Sequence, residues 1–215
     1  MFDSVAQKYD RANDLLSFGQ TKSWRGKVRK AVDPQAGQAI LDLAAGTGSS
    51  SIAFVGEGIR VVASDFSQGM LAEGRKRHPE LEFVFADATK LPFKNAEFDA
   101  TTISFGLRNT QNTEKALAEM LRVVKTGGHL IVAEFSSPTW RPFRTIYTNY
   151  LMSALPWIAK KTSSNPDAYI YLAESIKAWP NQAALAAIIE KVGWSKVEVR
   201  NLTGGIVAVH MAVKP

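Results

Sequence analysis

The sequence predicts an α/β fold: a mostly parallel seven-stranded sheet with helices on both faces, finished by an antiparallel hairpin. Three observations carry this. Short β-rich runs alternate with helix-length segments between residues 39 and 134, the pattern of parallel strands joined by crossover helices. The first of those strands runs directly into a glycine-rich turn, Asp42-Leu43-Ala44-Ala45-Gly46-Thr47-Gly48. Two further apolar runs close the chain around Leu202-Thr203-Gly204-Gly205, a turn short enough to make them antiparallel neighbours.

Strands are expected at residues 39–43, 60–65, 82–86, 98–104, 129–134, 196–201 and 206–213. Helices are expected at 47–55, at 67–77 with Ser67 as N-cap, and at 113–124 with Thr113 as N-cap, the last ending before Gly127-Gly128. A helix over 181–192 places Leu185, Ile188, Ile189 and Val192 on one apolar stripe. A parallel sheet closed by an antiparallel hairpin is the architecture of Rossmann-like S-adenosylmethionine-dependent methyltransferases, a likeness at the level of fold alone.

With 215 residues, nearly half of them hydrophobic, the chain buries a core unaided. One domain is expected over 1–215, with an N-terminal helical cover at 1–33. A helical insertion is expected at about 137–180, where aromatic, proline and basic residues concentrate. The absence of cysteine excludes disulfides, thiolate metal sites and thiol nucleophiles. Three scattered histidines, His78, His129 and His210, without an HExxH pattern, give no expected metal site. The uncharged stretch 146–159, which no separate one exceeds, contains Pro156 and falls short of the ~20 apolar residues of a membrane span. No secretory signal is apparent, so a cytoplasmic location is expected. A net charge of +6 suits nucleic acid, an anionic membrane surface or simply a basic cytoplasmic protein.

Open α/β sheets bind ligands at the carboxyl ends of their strands, where a loop poor in side chains lets a ligand meet backbone. The glycine loop fits the dinucleotide pattern poorly, since its third glycine position is Ser51. An acidic-x-small-x-Gly-x-Gly loop suits S-adenosylmethionine better, and Gly46, Thr47 and Gly48 are its candidate contacts. Asp65 ends the second strand, where a carboxylate can accept from both ribose hydroxyls. Asp87-Ala88 follows the third, where the acid can accept from an adenine amino group and the small residue leaves room for the ring. Met70 offers a soft apolar contact to the adenine, although a methionine at helical spacing also suits plain core.

The residues that narrow the function are Ile103-Ser104-Phe105-Gly106-Leu107-Arg108-Asn109 at the end of the fourth strand. Accompanying them are Phe2-Asp3, Tyr9-Asp10, Trp24-Arg25, Leu91-Pro92-Phe93, Glu134-Phe135-Ser136 and Tyr169-Ile170-Tyr171-Leu172-Ala173-Glu174-Ser175-Ile176. Over nearly its whole length the chain resembles the C-methyltransferases of quinone biosynthesis, which act on demethylmenaquinone and ubiquinone precursors. The resemblance implies that Thr47, Asp65, Asp87, Ala88 and Ser104 contact S-adenosylmethionine. It also implies methyl transfer to a ring carbon of a polyprenyl quinol, the menaquinone branch first and the benzoquinol step as an alternative. Where the family usually reads GGTGD, this chain has Ala45 and Ser49, so no role is carried over to Ser49.

A quinol carbon becomes nucleophilic when its neighbouring hydroxyl ionises, and bringing a phenol of pKa ~10 to neutrality requires about 4 kcal/mol of anion stabilisation. Arg108 is expected to supply it and to orient a water that takes the proton, although an Arg paired structurally with a carboxylate is the plainer reading. Tyr9 is expected to fold over the site. His210, mid-strand and suited to a hydrogen-bonded core role, is the fallback acceptor. Arg108, Asn109 and Tyr147 are the candidate substrate contacts. Between residues 139 and 161, Trp140, Phe143, Tyr147, Tyr150 and Trp157 are interleaved with Arg141, Arg144, Lys160 and Lys161, which suits peripheral contact with a bilayer holding a lipophilic substrate. Aromatics filling a cover over the sheet are the alternative. A nucleic-acid methyltransferase also fits the charge, but amino methylation of bases commonly uses Asp or Asn with Pro-Pro where this chain has Ser104-Phe105-Gly106-Leu107. Cytosine C5 chemistry needs a cysteine.

Overall fold

The computed structural model describes residues 20–154 and 166–215. Seven strands form one sheet in the order β3-β2-β1-β4-β5-β7-β6: β1 (Ala39–Leu43), β2 (Arg60–Asp65), β3 (Glu82–Phe85), β4 (Phe98–Ser104), β5 (Val124–Phe135), β6 (Ser195–Leu202) and β7 (Val207–Val213). The first five are parallel. β7 runs antiparallel to both β5 and β6. Every parallel strand therefore ends on the same side, and β1 and β4 are buried nearly throughout, as strands covered on both faces must be.

Helices α1 (Thr21–Val32) and α2 (Gln68–Arg77) cover one face, where Trp24, Val28 and Leu71 pack on Ile40, Ala63 and Ile131. The other face carries α3 (Thr113–Val123) and α6 (Gln182–Val192), with Leu117, Met120, Leu185 and Ile189 on Leu41, Val62 and Leu130. Between β5 and α6 lie α4 (Arg141–Asn149), a π-helical turn over Tyr150–Ala154, and α5 (Pro166–Ala178). Local signals hold where expected: Ser67 Oγ accepts from Met70 N at 3.2 Å, and Asn181 caps α6 through Ala184 N.

Three expectations are corrected. No α-helix follows the glycine loop; only a 3₁₀ turn forms, over Ser51–Phe54. Ser50 and Ser51 there donate their hydroxyls to Asp42, each at 2.7 Å, and serines so engaged compete with helical geometry. The N-cap of α3 is Asn112, whose Oδ1 accepts from Lys115 N at 2.9 Å, and not Thr113. Gly127-Gly128 does not separate α3 from a later strand. β5 begins at Val124 and passes through both glycines, its register shifting between the Phe98 and Ala100 pairings. Gly127 takes φ 77°, and a side chain on Gly128 would meet the Asp99 carbonyl at 2.5 Å.

His210 is buried in β7, facing α6, with Nε2 2.9 Å from the Gln182 carbonyl. A carbonyl only accepts, so Nε2 carries the proton and buried Nδ1 is a lone pair without a partner among the described residues. Burial pushes the imidazole pKa down. The folded state then holds fewer protons than the unfolded chain below the ordinary histidine value of about 6.5. Stability is expected to fall as pH drops below that value, and His210→Gln to flatten this dependence in denaturant titrations at pH 7 and 5.5.

Candidate active site

A cavity of about 430 Å³ opens where β1, β2 and β4 end. Its shape starts with Asp42, fully buried in β1, which accepts from Ser50 and Ser51 and from Thr102 Oγ1 at 2.5 Å. Burial raises its pKa against the pull of these three hydroxyls. The loop then turns through Gly46 (φ 58°) and Gly48 (φ 85°). Asp65 ties it to β2: Oδ2 accepts from Gly46 N and Oδ1 from Ser67 N, both at 2.8 Å. Asp65 thus braces the loop while it lines the cavity.

Asp87 and Ala88 line the cavity beside Met70. Both Thr89 donors reach Asp87 Oδ1 at 2.8 Å and hold its carboxyl below the usual carboxylate range. Oδ2 has no hydrogen-bond partner among the described residues. Thr47 and Ser104 also line the space, and so does Ser49, 3.2 Å from the Thr47 hydroxyl. Gly48 does not line it: a Cβ there would meet the Phe83 ring at 2.8 Å, whereas one on Gly46 meets nothing within 4 Å. Gly48 serves packing, and Gly46 leaves backbone bare to the cavity. Ser64, unremarked in the sequence, contributes a buried hydroxyl with no partner among the described residues. An open carboxylate oxygen, an orphan hydroxyl and bare backbone beside Leu43, Ala86 and Ile103 fit a nucleoside-bearing cofactor.

The other half of the cavity is aromatic. Phe105 and Phe135 lie with ring centroids 5.0 Å apart, Trp24 is 5.8 Å from Phe105, and all three line the wall. Trp24 is anchored by Nε1 donating to Thr203 Oγ1 at 2.9 Å. Phe105 sits in the left-handed region at φ 57°, a strain of about 1–3 kcal/mol that collects at functional sites. Gly106 follows it because a Cβ there would collide with that of Ala44. These two constraints explain the Phe-Gly of the strand-end string. In the sequence Trp24 carries only the family resemblance, and its helical spacing from Val28 is the local signal of a wall.

Arg108 stands behind this wall and does not line it. Its Nη1 donates to Glu134 Oε1 at 2.7 Å and to the Phe105 carbonyl at 2.6 Å, in a buried ion pair. The guanidinium lies 5.2 Å from the Phe135 ring centre, and Nε has no partner among the described residues. The paired reading of Arg108 is therefore the one observed. Asn109 lines the cavity and accepts from the Tyr171 hydroxyl at 3.2 Å. Tyr147, on α4, packs against Leu151, Ala173 and Ile176 and does not line the cavity, its phenol pKa pushed up by burial against the opposing charge of Arg108. His210 is also outside the cavity lining. Tyr9, Trp157, Lys160 and Lys161 lie outside the described residues. Among those described, no group of three or more His, Asp or Glu is placed to hold a metal.

The sheet order, the acid-ended strands and the bare glycine loop define a Rossmann-like S-adenosylmethionine-dependent methyltransferase. Solved structures agree on the fold. An S-adenosylmethionine-dependent methyltransferase from Thermotoga maritima superposes with TM-score 0.71 at 18% identity, covering 100% of this chain and 98% of the other. Haemonchus contortus phosphoethanolamine N-methyltransferase 2, in complex with S-adenosylmethionine, gives 0.67 at 17% identity, covering 90% and 52%. More particularly, the chain belongs to the ubiE/COQ5 methyltransferase family, whose model matches residues 1–214. It is 61% identical over 214 residues to demethylmenaquinone methyltransferase of Streptomyces avermitilis, covering 100% of this chain and 93% of the relative. Identity to the protein of the same name from Renibacterium salmoninarum is also 61%, covering 100% and 90%.

The two glycines separate experimentally. Gly46→Ala is expected to cost about 1–2 kcal/mol for left-handed backbone. Gly48→Ala adds overpacking against Phe83, a further ~1–3 kcal/mol, so its thermal midpoint falls further in a melting comparison.

Proposed function

We propose that the protein transfers the methyl group of S-adenosylmethionine to a ring carbon of a polyprenyl quinol, converting demethylmenaquinol to menaquinol. The observation that carries this reading is the joining, in one cavity, of a polar nucleoside half and the aromatic half formed by Trp24, Phe105 and Phe135. A planar apolar ring suits the second half, and the full-length relatives bear that substrate in their name.

In this reading Asp87 Oδ2 accepts from the adenine amino group, Asp65 from the ribose, and Thr47, Met70, Ala88, Ser104 and the Gly46 backbone complete the contact. When bound, the cofactor supplies an electrophilic methyl on a sulfonium. The quinol reacts as its oxyanion: the ring carbon forms the new C–C bond as the S–C bond breaks, a neutral thioether leaves, and loss of the ring proton restores aromaticity. Asn109 orients the ring at the cavity edge. Arg108, buried behind the aromatic wall, acts by position: its bonds to Glu134 and the Phe105 carbonyl hold the strand ends that set Phe105 and Phe135 against the ring. A water takes the phenolic proton, and Tyr9 is assigned a supporting contact to the quinol oxygen. His210 is assigned none, since it lies outside the cavity lining and the lone pair on its Nδ1 is buried. Transfer is read as independent of divalent metal, and activity surviving a chelator checks this.

Peripheral contact with the bilayer that holds the substrate belongs to the same proposal, supported by Trp140 (67% exposed) and Ile146 (65% exposed) beside Arg141 and Arg144 on α4. Nucleic acid is not assigned as substrate.

The test is methyl transfer from labelled S-adenosylmethionine to short-tailed demethylmenaquinol, followed by mass spectrometry, with a benzoquinol precursor in parallel. Product from the naphthoquinol is expected, and none from the quinone held oxidised. Arg108→Lys retains a cation opposite Glu134 but loses the planar fork. Its kcat is expected to drop by ~100-fold through misplacement of the ring while cofactor affinity by calorimetry stays near that of the wild type. Near-normal kcat in this variant would remove Arg108 from the mechanism.

A further inference from the structure

The positive charge of this protein is not spread over its surface. Of 26 basic and 20 acidic residues in the chain, α1 contains Lys22, Arg25, Lys27, Arg29 and Lys30 and no acid. Twelve residues therefore hold five of the six excess charges, and the remaining chain, with 21 basic and 20 acidic residues, is close to neutral.

The helix also sorts these charges. Thr21, Trp24, Val28 and Val32 are buried, and at 3.6 residues per turn they form one stripe. Lys22, Lys27, Arg29 and Lys30 are exposed and fall on the opposite arc, interleaved with the small residues Ser23 and Gly26. None of the four is in an ion pair among the described residues. A merely solvated helix face ordinarily mixes signs, with i,i+4 partners; this helix carries no acid of its own. The inner side of the same helix is functional, since Thr21, Trp24, Arg25 and Val28 line the cavity. Trp24 further ties α1 to Thr203 in the β6–β7 connection. Phe143 of α4 packs against that same connection at Gly204. The charged helix and the helix bearing Ile146 and following Trp140 thus converge on one turn.

We propose that the outer face of α1 is an electrostatic docking surface for an anionic lipid bilayer, seating the wall of the substrate cavity against the membrane. The inference rests on the quinol reading for its choice of partner and deepens it. α1 supplies the charge attraction and the Trp140 region the apolar contact, the two-part signal that stable peripheral binding requires. Each basic residue held near an anionic surface strengthens binding about fivefold, so four neutralisations are read easily.

The test is co-sedimentation of the full chain with vesicles of pure phosphatidylcholine and of phosphatidylcholine containing phosphatidylglycerol, at low and high salt. Variant one carries Lys22→Gln, Lys27→Gln, Arg29→Gln and Lys30→Gln, all outside the cavity lining. Variant two carries Lys90→Gln, Lys94→Gln, Lys177→Gln and Lys196→Gln, four exposed lysines elsewhere, and so has the same net charge. Wild type and variant two are expected to bind anionic vesicles in a salt-sensitive manner, and variant one to lose tenfold or more in affinity. All three are expected to methylate a soluble short-tailed quinol equally. Equal vesicle binding by the two variants, equal binding of wild type to neutral vesicles, or capture of duplex or single-stranded nucleic acid in preference to vesicles would each overturn the proposal. Loss of methyl transfer to the soluble quinol in the wild type would instead overturn the substrate reading, leaving the vesicle result to stand separately.

Discussion

A carboxylate at the centre of the sheet sets the geometry on which the cofactor half of the cavity depends. Asp42 has no access to water, and a buried charge is tolerated only where hydrogen bonds replace its hydration. Its three hydroxyl donors come from both sides: Ser50 and Ser51 return from the loop, and Thr102 reaches across from β4. Satisfying the acid therefore folds the loop back over the end of β1 and locks it to the neighbouring strand. Asp65 repeats the device one strand away by capturing Gly46 N. With loop backbone held from two directions, Gly46 is presented to the cavity without a side chain, and the space beside Asp87 is fixed before any ligand arrives.

The substrate half is built on a second buried charge. Glu134 ends β5 and accepts from the Arg108 guanidinium, from Arg108 N at 3.3 Å and from Phe135 N at 2.9 Å. These bonds join the turn after β4 to the end of β5, the two strands whose ends carry Phe105 and Phe135. The left-handed backbone of Phe105 is affordable because its N–H is held by the Ala133 carbonyl at 2.8 Å and its carbonyl by Arg108. Removing either member of a buried pair strands the other, at about 3–5 kcal/mol. A cation-preserving change at Arg108 is for that reason more informative than truncation.

Strand identity was legible from the sequence because parallel strands buried on both faces read as apolar runs, and β1, β2 and β4 fall where those runs lie. The failures share a cause. The helix expected after the glycine loop, the cap assigned to Thr113 and the glycine stop before β5 were all decided by hydrogen bonds or packing from residues distant in sequence or by a better neighbouring cap. Asp42 captured the serines, Asn112 outcompeted Thr113, and Asp99 lies against Gly128. In the site, Asp65, Asp87, Ala88, Met70 and Ser104 could be placed at the cavity because strand ends in such a sheet converge. The burial of Arg108 against Glu134 could not be read, because no local pattern reveals which of twenty acids an arginine meets. Ser64 was missed because a lone serine in an apolar strand has no periodic signature.

The sheet's final strands show how the same chain avoids pairing with other sheets while keeping its cavity end open. One edge, β3, is only four residues long. The other, β6, is longer but carries Lys196, Glu198 and Arg200 exposed, and its register with β7 slips between Ser195 and Glu198. Short length, charge and irregularity are the usual means of blunting a strand edge. Inserting β7 antiparallel between β5 and β6 has a further consequence. It reverses the chain so that the β6–β7 connection falls on the side where the parallel strands end, within reach of Trp24 and Phe143. The antiparallel hairpin therefore does more than close the sheet, because its turn is the support on which Trp24 of the charged helix and Phe143 of α4 are both set, and Trp24 carries that support to the cavity wall.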